Sequence, residues 1–320
     1  MKNLKYLIIL LVIISCKRNH NADNNKLNSL SGTEMNYNLM QKTINDQKQR
    51  LEKASCEFNA IQKQMFINKR LGLVSIALNA NIVKHCVESL NKSDKEKIFN
   101  SFEKVYSDVV NRFNDSLDSK YPKIIGKLME DKKDAETKEF NNCLNICGLT
   151  LLMSEGEFYV DVNNDFVYNL FKGKISAALD DYLKLRRDEL KQGFSEDAEM
   201  LISFDDLYKR VTNWEDFNKK YPAFFLKTQV QQYFDTYLST FLTGMDNTPA
   251  FDFENQILLP ELKNKYEKII AKNDSRKSTE VIAKYYEFLK TKDFKQPENI
   301  EKFMEDNGFY SMLGVQPDNR

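Results

Sequence analysis

The side chains with the most chemical reach fall in one acidic stretch and in a handful of thiols and imidazoles. Residues 154–165 read Ser-Glu-Gly-Glu-Phe-Tyr-Val-Asp-Val-Asn-Asn-Asp. Glu155, Glu157 and Asp161 surround Tyr159. A pair of carboxylates is the basic equipment for acid–base hydrolysis of a glycan. The same residues equally make a polar ligand loop. Asp161-x-Asn163-x-Asp165 opens like a calcium loop. Phe166 then stands where glycine is needed and Lys172 where glutamate is needed, which argues against an EF-hand. Glu and Lys are abundant throughout the chain, so solvated surface charge is the competing reading of every acidic pair.

Histidine chemistry is thin, because the chain has only His20 and His85. A Ser-His-Asp or Cys-His machine would have to use His85. Its neighbour Cys86 is set about 100° away around a helix, which argues against that pairing. There is no Gly-x-Ser-x-Gly elbow, P-loop, dinucleotide turn or His-Glu-x-x-His helix. No zinc-knuckle spacing joins His85 or Cys86 to Cys143 and Cys147. The sequence therefore points to no catalytic residue, no metal and no cofactor. Cys56, Cys86, Cys143 and Cys147 permit two disulfides in three pairings. Cys143 and Cys147 share a helix face, a spacing suited to bonds with two neighbouring helices. Four buried free thiols are the alternative.

These residues ride on helices. Gly (10) and Pro (6) are scarce and apolar residues recur at helical spacing, so the fold class is all-α, a multi-helix bundle. A stripe of Met40, Ile44, Gln47, Leu51, Ala54, Phe58, Ile61 and Met65 alternates steps of four and three. It predicts one long helix over 36–69 that packs inside its own domain or self-associates. Further helices are expected at 73–90, from a Ser93–Glu96 capping box, at 123–130 and at 135–153. Residues 154–165 then form an extended loop between an N-terminal helical region (36–153) and a C-terminal one (154–320), unless the two make one continuous domain. Helices resume at 165–172, 174–192, 196–211, from Asn213, over 223–243 up to Gly244, and at 260–272, 276–291 and 297–306. Phe234–Thr240 echoes Tyr285–Thr291, which suits tetratricopeptide-like hairpins in the C-terminal part.

The beginning of the chain sets its address. Lys2 and Lys5 precede an unbroken apolar run from Leu7 to Ile14, then Ser15 and Cys16. The run is too short to span a bilayer. This layout resembles a bacterial lipoprotein signal peptide, with Ile13-Ile14-Ser15-Cys16 as the lipobox. The resemblance implies cleavage of residues 1–15, lipid attachment at Cys16 and a membrane-anchored chain. No aspartate follows Cys16, which favours the outer membrane or cell surface over the inner membrane. Residues 16–35 are Asn-rich and polar, the composition of a flexible tether. Removing Lys2 and Lys5 leaves 45 basic against 47 acidic side chains, so no field draws in nucleic acid. The partners implied are the membrane, through the anchor, and a protein, peptide or glycan bound without catalysis. An envelope-polymer hydrolase and a self-associating structural lipoprotein are the two alternatives. Replacement of Cys16 by Ser should remove the acyl mass from the mature N-terminus and shift the chain from the membrane to the soluble fraction. Mass spectrometry of the N-terminal peptide checks this.

Overall fold

In the computed structural model, residues 35–154, 156–298 and 300–307 are described. The lipobox-like residues, Cys16, the stretch up to residue 34 expected to be a tether, and Glu155 lie outside the described residues. The described chain is all-α: fourteen α-helices, with three two-stranded hairpins between them. None of these helices is long and apolar enough to cross a membrane.

The stripe from Met40 to Met65 is not one helix. It is divided between α1 (Tyr37–Leu51) and α2 (Phe58–Asn68), with residues 52–57 as a turn. The turn lets both helices lie on α3 (Val74–Cys86), where Cys56 bonds to Cys86. No glycine or proline marks the break, so the spacing alone reads as continuous. Met40, Ile61 and Met65 are buried inside the bundle, while Ala54 is exposed in the turn.

The bundle is organised around α4 (Lys92–Asn114), a helix about 35 Å long at 1.5 Å per residue. Ile98, Phe102, Val105, Val109 and Phe113 form its buried stripe. Its cap is Asn91 rather than Ser93: the Asn91 side chain accepts the backbone N–H of Asp94 at 3.0 Å. Short α5 (Leu117–Lys120), α6 (Pro122–Met129) and α7 (Ala135–Ile146) follow. Pro122 sits at the first turn of α6, where a missing N–H costs nothing.

The helix expected over 135–153 stops at Ile146. Gly148 takes φ +70°, and a β-carbon there would meet the Phe166 ring at 2.3 Å. The chain then runs into β1 (Leu149–Ser154), which pairs antiparallel with β2 (Glu157–Val162). The expected loop is therefore a hairpin that begins five residues early. Val, Phe and Tyr on β2 are residue types that suit a pleated half-buried ribbon. Asn114 of α4 holds this hairpin from the side. Its Oδ1 accepts Val160 N–H at 2.8 Å and its Nδ2 donates to Val160 C=O at 2.9 Å, so an amide side chain stands in for a third strand.

Beyond the hairpin come α8 (Asn164–Phe171) and α9 (Ala177–Gln192). Residues 196–211 are not a separate helix. Two-residue strands β3 (Ser195–Glu196) and β4 (Glu199–Met200) form a turn, and one helix, α10 (Phe204–Lys220), runs through Asn213. Ser203 caps it, accepting Asp206 N–H at 3.1 Å, and buried Trp214 anchors its middle. Next is α11 (Lys227–Thr243), followed by the β5 (Gly244–Met245) and β6 (Thr248–Pro249) ribbon, and then α12 (Pro260–Ala271), α13 (Lys277–Lys290) and α14 (Ile300–Asp306). α10–α11 and α12–α13 are helical hairpins, and α13 packs on both members of the first. The echoed segments lie on the second helix of each, with Phe234, Tyr237, Tyr285 and Leu289 all buried.

The two halves share one hydrophobic core. Phe99 and Phe102 of α4 pack edge-on against Phe171 of α8 at 5.2 and 5.7 Å. Ser176 at the head of α9 donates to Glu96 of α4 at 3.0 Å. Two glycine substitutions test the local geometry. At Gly244, φ is +73° and a β-carbon would sit 2.4 Å from the backbone N of Ala250. Gly244→Ala should destabilise by about 2 kcal/mol or more. Exposed Gly126, in α6 with open space around it, should gain roughly 0.5–1 kcal/mol as Ala. Urea unfolding of the two variants checks the contrast.

Candidate functional site

The acidic hairpin does not gather its carboxylates. Glu157 is exposed at one end of β2 and Asp161 is half-buried near the other. Four residues along a strand separate them by about 13 Å. Tyr159 is half-buried between them on the same strand face. Burial raises the Asp161 carboxyl above its usual range, offset in part by a hydrogen bond from its neighbour's N–H and by Arg186. The calcium-like trio has other partners. Asp161 Oδ1 accepts Val162 N–H at 2.6 Å, Asn163 caps α8 by accepting Phe166 N–H at 3.2 Å, and Asp165 pairs with Lys191 at 2.7 Å.

The cysteines divide into a bonded pair and a free pair. Cys56 and Cys86 are bonded, whereas Cys143 and Cys147 are buried free thiols. The second disulfide that the spacing of Cys143 and Cys147 suggested is not formed, because their two candidate partners are bonded to each other. Burial pushes the Cys143 thiol up to about 12 and Cys147 higher still, so both remain protonated. His85 is exposed at the end of α3, and its ring nitrogen, Cys86 Sγ and Cys56 Sγ all lie within 4.8 Å of one another. The two side chains come near each other although adjacent helix positions diverge, and Cys86 is bonded to Cys56 rather than paired with His85. Cys86 closes the helix at φ −107°, and the long imidazole spans the angle between adjacent positions.

A groove of ≈ 770 Å³ is bounded by α1, α2 and α3. That volume is in the range of ligand-binding clefts. Its apolar lining includes Leu39, Leu51, Ile61, Ile67, Leu78 and Ile82. Ile67 is 49% exposed, a large apolar side chain facing open space. Lys42, Arg50 and Arg70 outnumber Asp46 along the walls. Gln64, Asn68 and Asn79 form a satisfied amide ladder from the wall into the bundle, with links of 3.0 and 2.8 Å. Gln47 of α1 differs: its Oε1 is buried with no hydrogen-bond partner. A buried acceptor left empty is costly unless something fills it. Gln47 was visible in the sequence as the polar member of an apolar stripe, and that was the signal for the groove.

A second, smaller cavity lies where the halves meet. Its volume is ≈ 70 Å³, and Glu103 of α4, Tyr182 and Arg186 of α9, and Tyr233 of α11 line it with Asn164. The Arg186 guanidinium stacks on the Tyr233 ring at 4.3 Å. Glu103 is half-buried as a residue, but its Oε1 is out of solvent and has no hydrogen-bond partner. Burial raises its carboxyl to about 7 against the pull of Arg186. One turn further along α9, Glu189 accepts from Trp214 Nε1 at 2.8 Å and from Tyr237 hydroxyl at 2.9 Å. Burial raises it too to about 7, offset by Arg210 and Arg186. Arg210 donates to the Glu189 and Gly193 carbonyls at 3.1 and 2.5 Å. None of these residues stood out in the sequence, because single charges on separate helices carry no spacing signal. A cavity of this size takes a few waters rather than a peptide or glycan.

Both raised carboxyls bind protons more tightly in the folded chain than at their ordinary value of 4.5. Their contribution to stability is therefore complete below pH 4.5 and is lost as pH rises through about 7. Glu103→Gln fixes the neutral state at one site. It should flatten the fall in unfolding free energy between pH 5 and pH 8, with a gain of about 1–3 kcal/mol at the upper end. An unchanged slope in urea titrations at the two pH values would count against the assignment. In comparisons with known proteins, no family model, no curated protein and no solved structure matches this chain, so its function is read from the site itself.

Proposed function

We propose that this is a lipid-anchored envelope protein that binds without catalysis, taking an extended peptide segment of another envelope protein into the α1–α3 groove. The observation that carries the reading is a groove of ≈ 770 Å³ with an apolar lining, in which Ile67 is 49% exposed. The apolar side chains of a bound peptide cover Ile67 and its neighbours. The three basic residues against Asp46 favour a peptide that carries carboxylates. Two further facts support binding over hydrolysis or self-association. Glu157 and Asp161 stand apart on their strand, and the Met40–Met65 stripe is split between two helices with Met40, Ile61 and Met65 buried inside the bundle.

The lipobox resemblance supplies the address. The described residues begin at Met35, which packs against the core, so the first helix after the tether is itself a wall of the groove. Binding is tested with a library of fluorescent octapeptides that alternate leucine and glutamate with other residues, titrated by fluorescence polarisation against the full chain. Selected peptides should lose about tenfold or more in affinity on Ile67→Glu, with the unfolding midpoint unchanged. Absence of binding across the library, or binding indifferent to Ile67→Glu, would sink the proposal.

A further inference from the structure

The Cys56–Cys86 bond sits beside an imidazole and at the wall of a cleft. Cys56 is half-buried, His85 exposed and Cys86 buried, and their three ligand atoms lie within 4.8 Å of one another. Cys86 also lines the groove. We infer that, once this disulfide is reduced, Cys56, Cys86 and His85 form a three-ligand site for a zinc-type thiophilic cation, with the fourth position open. The geometry points this way for two reasons. Tetrahedral ligands about 2.0–2.3 Å from a zinc ion stand roughly 3.5–4 Å from each other, which fits a trio held within 4.8 Å. The bonded sulfurs must also move apart, and Cys56 can do so because it lies in the turn at 52–57, outside any helix, while His85 and Cys86 stay on α3.

The chemistry balances without an unnamed partner. A dithiol reductant gives two electrons and two protons to the Cys56–Cys86 bond and becomes a disulfide itself. Zn²⁺ then replaces the two thiol protons, which leave to water, and takes the neutral His85 nitrogen as third ligand. The other two cysteines do not compete. Cys143 and Cys147 are buried on α7 and burial holds both thiols protonated. The zinc titration uses no peptide, so the two readings fail separately.

The test uses the full chain, once oxidised and once reduced with a phosphine that is then removed under nitrogen. Each form is titrated with Zn²⁺ against a chromophoric chelator. The inference expects one tight Zn²⁺ per reduced chain and none per oxidised chain. His85→Ala should weaken binding about tenfold or more. A Cys143→Ser/Cys147→Ser double variant should keep one. With Co²⁺ in place of Zn²⁺, a thiolate-to-metal charge-transfer band should appear in the reduced protein and vanish in Cys56→Ser. Equal binding by the oxidised chain, or by Cys56→Ser or His85→Ala, would overturn it. Loss of the helical circular-dichroism signal on reduction, unrestored by Zn²⁺, would overturn it as well.

Discussion

Two arginines and two carboxylates are buried where the halves of the chain meet, and the surrounding structure makes that burial tolerable. Removing a charge from water costs several kcal/mol unless partners replace the solvent. Here the partners come from four helices. Glu189 on α9 is bonded by Trp214 of α10 and Tyr237 of α11, and Arg210 of α10 reaches back to the end of α9. Arg186 lies on the Tyr233 ring and faces Glu103 of α4 across the small cavity. Each donor is useful only if the helix that carries it is in register. A buried polar network of this kind favours one packing arrangement over its near neighbours.

The apolar packing follows the same junction. Trp214 meets Tyr233 at 4.8 Å and Tyr182 at 5.8 Å, while Phe99 links α4 to Phe171 and Phe225. The hairpin β1–β2 is held over one side by Asn114. The rigid middle of the molecule therefore consists of α4 with α8 to α11. The groove lies on α1 to α3, of which α2 and α3 pack on α4, and the turn at 52–57 beside it is mostly exposed.

Much of the helical architecture was legible from periodicity. The stripe on α4, the Tyr121-Pro122 start of α6 and the Gly244 stop of α11 stand as the residue types require. The misplacements have local causes. At 52–57 no breaker residue announces the turn, and the Cys56–Cys86 bond with packing on α3 imposes it. At 149–162 a short apolar run reads equally as helix or strand, and Gly148 with the Asn114 amide decides for strand. At 213 an asparagine resembles a helix start, but Ser203 already caps a longer helix.

Of the candidate site, the sequence offered one oblique sign, the polar Gln47 in an apolar stripe. The sequence by itself determined the helical class, the near-neutral charge and the lipobox-like beginning, because composition and local spacing are properties of neighbouring residues. Tertiary structure decided which cysteines bond, that Glu157 and Asp161 stand apart, that Gln47 faces a groove and that Glu103 meets Arg186. Those are contacts between residues distant along the chain. Their formation depends on how helices pack, which no single stretch encodes.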